Sequence, residues 1–548
     1  MRELQASHLM GGIFRPMWRA VSTGGIRSSR YPVAYGLLAA AMLAPLLCAT
    51  VPPLVDYPNH LARMWILVHR ATVPELARNY IVQWRILPDL AMDLVVPALA
   101  TIMSVVMAGR TFVALTMLGL VAGTAVLHRV LHRMYAIWPA WSVLFVYNAV
   151  LFWGFVSCLF AIAAYLFALS GWIATRGWRA VPRILVFAAV AALLFLLHVF
   201  AFGLYGLTVA AYELGLRFEF GRLRLRNLVS YPVICLQFIP GLLLWYESLA
   251  NVRTAYTAYG GLSAKLYALL APATFAVQPT VLDFGIWFGA GALLMFLVMR
   301  GGLKLVPQMR FPIGALILAA VLMPNWANGS WLADLRLPAV LPFVLIGSTE
   351  WTLSRKWVER GLSLTALVLF GLRVWTTSQS WHDYDRWFGE FRRASTVIVP
   401  GTRLLIVEAP IPVETQRLPG VPSLLAKLQP VLFWHMGALA VIDRSAFFPY
   451  LFTQAATVAM TPRNRAVSQT AAIPITPAEL MKGADPEAAK SLDTRPDIFG
   501  QRPYWRDWPR TFDYVLWIDF SGKRKPQLEQ LAPVATGSFF EIDKVLKR

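Results

Sequence analysis

In the stretch "PPLVDYPNHLAR", residues 52–63, an aspartate, a histidine and an arginine stand directly behind the first long apolar run of the chain. Pro58 suits the first turn of a helix, where a missing N–H costs nothing. Asp56 stands just ahead of that turn, where a carboxylate can cap the helix or face its N-terminus. From His60 onward, "HLARMWILVH" spaces its apolar residues for an amphipathic helix lying on a membrane surface. His60 and Arg63 are three apart and share a face of that helix, with Asp56 at its mouth. A capping aspartate, a solvated histidine and a snorkelling arginine account for the same residues without any chemistry. Against that bland reading stands economy. The apolar runs carry few acids, yet this first loop offers Asp56, Asp89 and Asp93 close to the bilayer. Ionisable groups kept at that depth mark a functional site.

Other candidates are weaker. In "PDLAMD", Asp89 and Asp93 are four apart on one helical face. They could form a second catalytic carboxylate or a metal contact, with a capping Asp89 after Pro88 as the simpler reading. His198, in "FLLHVFAF", falls at the outer tip of a hairpin, either touching substrate or hydrogen-bonded between helices. "SWHDYDRWF" (380–388) reads as an interfacial aromatic anchor, and His435 as a structural residue of an apolar tail helix. Cys48, Cys158 and Cys235 all lie in apolar segments, so no disulfide framework and no metal-ligand spacing is visible. No metal site and no cofactor is indicated, although a divalent metal stays possible.

The elements that must position these residues are membrane helices. Of 548 residues, 57% are hydrophobic and only 14% charged, about half the charge of a soluble protein; the mean hydropathy is +0.56. Runs such as "YPVAYGLLAAAMLAPLLCAT" are of membrane length. The net charge of +21 sits largely in short loops, "RGWRAVPR" (176–183), "RFEFGRLRLR" (217–226), "RGGLK" (300–304) and "RKWVER" (355–360). Such clusters mark the cytoplasmic side rather than a nucleic-acid surface. Building parity from them gives about eleven spans: 32–51, 111–128, 138–152, 155–175, 184–198, 199–215, 228–246, 284–299, 311–324, 337–353 and 361–377. Residues 91–107 are apolar enough to tempt another crossing. With Asp93 and Pro97 inside them, they read as an interfacial helix of a long first outer loop, 52–110.

The expected organisation is a basic cytoplasmic N-terminus over 1–31, a transmembrane bundle over 32–377 and an extracytoplasmic α/β domain over 378–548. Strands are expected in "TRLLIVEAP" (402–410), "FDYVLWIDF" (512–520) and "GSFFEIDKV" (537–545), with a mostly helical stretch over 421–442. No internal repeat or low-complexity tract is seen. The fold class is thus an α-helical polytopic membrane protein with a small α/β outer domain, placed in a plasma membrane, the bacterial inner membrane by expectation.

A long first outer loop with an early acid, a juxtamembrane apolar helix, many spans and an outer C-terminal domain together resemble the GT-C superfamily of membrane glycosyltransferases. By that resemblance Asp56 in "DYPNHLAR" matches the loop aspartate that acts as catalytic base. "ADLRLPAVLPF" (333–343) resembles the late segment whose basic residue faces the carrier phosphate, here Arg336. The resemblance implies a polyprenyl-phosphate-linked sugar as donor and a glycan, lipid or protein as acceptor. His60 and Arg63 would then be secondary partners, and Asp334 would pair with Arg336 and hold it. The absence of a glycine-rich phosphate loop after a strand disfavours a nucleotide-sugar enzyme. A transporter or lipid flippase, and a non-catalytic subunit of an envelope-polymer system, are the rival readings. The first should show repeats and mid-membrane ionisable groups.

Overall fold

The computed structural model describes residues 30–547, apart from 220–221, 224–230, 250–255, 275–276, 278, 328–329, 352, 354, 413–415, 423–424, 426, 454–455, 470–471, 486, 489–502 and 522–526. Nearly all of the basic N-terminus expected over 1–31, and much of the basic loop 217–226, lie outside the described residues.

The chain opens with α1 (Arg30–Leu43), extended by a 3-10 turn, Ala44–Leu47. The long loop that follows, expected from sequence on the outer face, holds α2 (Tyr57–His69), α3 (Pro74–Asn79), β1 (Tyr80–Val82) and α4 (Ala91–Leu99). At nine residues, α4 rises only about 14 Å and is too short to cross a bilayer. Then come α5 (Val105–His132), α6 (Ala149–Phe152), α7 (Val156–Ala174), α8 (Ala180–Leu197) and α9 (Val199–Arg217). The short strands β2 (Phe218–Glu219) and β3 (Arg222–Leu223) lead to α10 (Tyr231–Cys235), α11 (Ile239–Leu249), α12 (Leu262–Leu270) and α13 (Val281–Met299). A strand β4 (Leu303–Leu305) precedes α14 (Arg310–Leu322) and α15 (Ala333–Ser348) and pairs with β5 (Thr349–Trp351). Finally α16 (Lys356–Ala394) leads to β6 (Leu404–Glu408), α17 (Leu439–Arg444), β7 (Val458–Met460), α18 (Pro477–Ala484), β8 (Tyr514–Ile518), β9 (Leu531–Thr536) and β10 (Phe540–Val545).

Seven helical stretches among the described residues are long and apolar enough to cross a membrane, and 31–47 and 307–322 are shorter apolar helices. The chain is an integral membrane protein. The two other expected crossings are α15 and the segment 138–152, which is not one helix. It is a 3-10 helix, Trp138–Phe145, followed by the single turn α6. Pro139 and the capping Asn148 interrupt it, yet it follows α1 end to end. Tyr35 donates to Ala136 O near the start of α1, and Tyr147 to Met42 O near its end. Irregular backbone survives at membrane depth only when buried in protein, and residues 139–143 and 146–154 are buried.

The bundle is tight where small residues allow it. A Cβ on Gly119 would come within 2.9 Å of Ala163 Cβ, and one on Gly123 within 2.8 Å of Leu166 Cβ, so α5 and α7 approach through a small-xxx-small stripe. A buried ion pair ties α13 to α16: Arg373 donates to Asp283 Oδ1 at 2.8 Å and to Ala273 O at 2.8 Å.

α16 has 39 residues, about 58 Å, and passes through the expected boundary at 378 without a break. Its C-terminal half carries the C-terminal domain, whose sheet runs β6-β8-β10-β9, with β6 parallel to β8 and the rest antiparallel. Three of its strands are those expected. β9 was not, because Pro533 interrupts its pattern; the strand sits at the sheet edge, where a proline is tolerated. The described residues of 421–442, expected to be mostly helical, form instead two 3-10 turns, Pro430–Phe433 and Met436–Ala438, before α17. Pro422 and Pro430 oppose a continuous helix there. The domain is joined to the first outer loop by the antiparallel β1–β7 pair. Tyr80 reinforces the joint, its hydroxyl donating to Ala446 O and accepting from Phe448 N–H.

Candidate functional site

Asp56 is set by backbone contacts to the turn after α6. Val55 N–H donates to Phe152 O and Asp56 N–H to Trp153 O, at 2.9 and 3.1 Å. Gly154 makes this approach possible: its φ is +86°, and a Cβ there would stand 2.7 Å from Asp56 N. Asp56 does precede α2, but its side chain makes no capping bond. The carboxylate stays 16% exposed, with Oδ1 3.4 Å from His435 Nε2, an approach looser than a formed hydrogen bond.

His435, read from sequence as a structural residue of an apolar tail helix, stands instead just ahead of the 3-10 turn Met436–Ala438. It arrives from the C-terminal domain, almost fully buried, and its other nitrogen, Nδ1, lies 3.0 Å from Asn59 Nδ2. No local signal could have found it, since its partner lies 376 residues away. Asn59 also donates to Tyr450 O and accepts from Phe452 N–H, which locks the C-terminal domain onto the first turn of α2.

One turn further along, Arg63 donates to Asp93 Oδ1 at 2.7 Å, and the Thr457 hydroxyl donates to the same oxygen. Arg63 Nη1 is 3.3 Å from His60 Nδ1. Burial first, then the charge of Arg63, hold His60 well below its usual basicity. Arg63 is therefore already neutralised by Asp93, and both are buried.

Asp89 and Asp93 do not share a helical face. Asp89 precedes α4 with a left-handed φ of 68°, the N-cap is Leu90, and no side chain caps that helix. The pairing and the capping expected for Asp89 are both absent. Its Oδ1 is buried with no hydrogen-bond partner among the described residues. Burial pushes the Asp89 carboxyl up to about 6, with Arg63 and Arg336 opposing and Asp93 adding to the rise.

Arg336 lies in the first turn of α15, just after Leu332, whose φ is +54°. It donates to Ser330 Oγ at 2.8 Å, and its guanidinium lies 4.7 Å over the Phe155 ring. It makes no ion pair with a described carboxylate. The expected pairing with Asp334 is not formed, because residues two apart on a helix diverge. Asp334 instead accepts from Asn325 at 3.0 Å and faces Lys265 at 3.8 Å. His198 caps α9, its Nδ1 accepting from Phe200 N–H, and Arg336 lies near enough to act on it electrostatically.

The turn 153–155 thus serves both ends of the candidate site. Trp153 O holds the Asp56 backbone while the Phe155 ring supports Arg336. The Trp153 ring contacts Trp331 at 5.2 Å, next to the Ser330 that binds Arg336, and Trp434 at 6.4 Å, next to His435. Among the described residues, no group of three or more His, Cys, Asp or Glu could hold a metal ion.

No family model and no curated protein matches the chain. Among solved structures it is similar to ArnT from Cupriavidus metallidurans bound to undecaprenyl phosphate. Identity there is 10% and the TM-score 0.49, over 94% of this chain and 98% of that one. It is also similar to the arabinofuranosyltransferase AftD from Mycobacteria, at 15% identity and a TM-score of 0.45, over 94% of this chain but only 40% of that one. At such scores and identities these likenesses assign neither a reaction nor a residue role.

Proposed function

We propose that the chain transfers a sugar from a polyprenyl-phosphate carrier to a hydroxyl acceptor at the outer face of the membrane. The observation that carries the reading is the common support of Asp56 and Arg336 by one turn. A carboxylate that caps no helix and a guanidinium with no ion-paired carboxylate among the described residues stand on the Trp153 and Phe155 sides of it. In the reaction, Asp56 takes the proton of the acceptor hydroxyl while that oxygen bonds the anomeric carbon. The C1–O bond to phosphate breaks, its electron pair stays on the phosphate oxygen, and polyprenyl phosphate leaves with inversion at C1. That leaving group needs no general acid. It needs positive charge, which Arg336 supplies as a forked donor. An apolar groove of 390 Å³ between α1 and α16, lined by Leu38, Ala41, Phe370 and Val374 among others, offers room for a polyprenyl chain beside the helix that leads to Asp56.

The test is transfer of labelled sugar from a polyprenyl-phosphate donor by the purified chain in lipid, with glycan, lipid and peptide acceptors in parallel. Asp56→Asn is expected to lower the rate at least ~100-fold with an unchanged melting temperature. Arg336→Ala is expected to raise the donor KM and lower kcat. A fully active Asp56→Asn protein defeats the proposal. Uptake or scrambling without transfer favours the transporter reading instead.

A further inference from the structure

Asn59 decides which nitrogen of His435 carries the hydrogen. Its Nδ2 is 3.0 Å from Tyr450 O, and its Oδ1 is 2.9 Å from Phe452 N–H. A main-chain carbonyl can only accept and a main-chain N–H can only donate, so the amide has one permitted orientation. The nitrogen fixed in this way is also the one 3.0 Å from His435 Nδ1. An amide nitrogen only donates, so Nδ1 presents its lone pair and the ring hydrogen sits on Nε2, the atom facing Asp56 Oδ1 at 3.4 Å. An imidazolium would set N–H against N–H at Asn59.

We infer that His435 is a positioning residue for Asp56: a neutral ring, oriented by Asn59, whose Nε2–H faces Oδ1 at 3.4 Å and through which the C-terminal domain aims and electrostatically stabilises the catalytic carboxylate. The inference rests on the sugar-transfer reading for the role of Asp56, though the tautomer itself does not. His435 has no lone pair at Nε2 with which to take the acceptor's proton, so that proton goes to Asp56. An N–H dipole facing the ionised carboxylate favours its charged form, whereas an imidazolium would neutralise it. The other titratable groups around the ring leave this arrangement undisturbed. His60 on α2 has its Nδ1 turned to Arg63, and Arg63 is paired with Asp93 of α4. Tyr450 lies 5.6 Å away by ring centroids and donates its hydroxyl hydrogen to Trp434 O, with Glu408 and Tyr504 beyond it. Phe448 and Phe452 fill the remaining contacts.

Two readouts on the full chain in detergent or lipid test it. With ¹⁵N-histidine labelling and assignment by the signal lost in His435→Gln, His435 is expected to show an acceptor-type Nδ1 and a protonated Nε2 at neutral pH. Asn59→Asp, which replaces the donor by an acceptor, is expected to move a hydrogen onto Nδ1. A native His435 protonated at Nδ1, singly or as imidazolium, overturns the inference. In the transfer assay, His435→Leu is expected to lower kcat on the order of ten-fold with little change in donor KM. It should also move the acid limb of the activity profile up by about one pH unit, a ten-fold change in ionised fraction. His435→Gln, whose amide N–H reaches the place of Nε2, is expected to keep the limb near its native position. Equal loss in both variants with an unmoved limb marks a merely structural residue and overturns the positioning role. If the native chain transfers no sugar from any donor, the reaction falls while the nitrogen spectra still decide the tautomer.

Discussion

Two acids of the loop before α5 end in different circumstances, and the sequence made the place of one, Asp56 ahead of α2, easier to read than that of the other. Asp56 stood out because an acid at a membrane exit is costly to keep. Asp89 appeared to be a cap or half of a helical pair, and its left-handed backbone, which no spacing rule foretells, removed it from the helix. Burial raises the Asp89 carboxyl to about 6. The folded state therefore holds this proton more tightly than the unfolded chain, and the site costs stability as pH rises from about 4 through 6. Asp89→Asn removes the charge and keeps a residue that tolerates positive φ. Its melting temperature should exceed the native one at pH 8, with the gain fading as pH is lowered through 6 toward 4. Thermal unfolding across that range checks it, and an Asn variant less stable at pH 8 would show that Arg63 and Arg336 need this charge. His435, by contrast, was out of reach, because its chemistry comes from a contact with another part of the chain.

At the scale of elements, periodicity revealed what it can and missed what proline and broken backbone conceal. β6, β8 and β10 have compact apolar runs and were visible. β9 was hidden by Pro533, and the 421–442 stretch looked helical until its prolines divided it. The segment 138–152 is the instructive case, since its composition is that of a span and its backbone is not. By ending in the turn 153–155 rather than running on as helix, it places a main-chain carbonyl against Asp56. Gly154 is the residue that permits this, at φ +86° and with no room for a Cβ against Asp56 N. Gly154→Ala must either strain the turn, at about 1–3 kcal/mol, or push Asp56 away. Sugar transfer is expected to fall far more than the melting temperature does. Parallel loss of both would place the effect of Gly154 in folding rather than in the site.

At the scale of the whole molecule, the site belongs to neither the bundle nor the outer domain. Asp56 comes from the end of the first membrane segment, Arg336 from the start of a late one, and His435 from beyond the long helix α16. The long apolar helices of the bundle were legible in the sequence, because membrane-length segments announce themselves by composition. Domain docking left no such mark, since it depends on buried polar contacts. Tyr80 shows how much rests on them: fully buried on β1, it satisfies both Ala446 O and Phe448 N–H. Those two groups begin the stretch whose Tyr450 O and Phe452 N–H orient Asn59, and through Asn59 the ring of His435. Tyr80→Phe keeps the aromatic packing and leaves two buried main-chain groups unpaired, a cost of about 1–3 kcal/mol for each. Its melting temperature should therefore drop by several degrees. If docking governs the site, kcat should drop with it while donor KM stays put, and Tyr80→Phe combined with His435→Leu should lose less than the product of the two separate losses, because both act through the same ring. Losses that multiply independently would mean that the domain holds itself to the loop without governing Asp56.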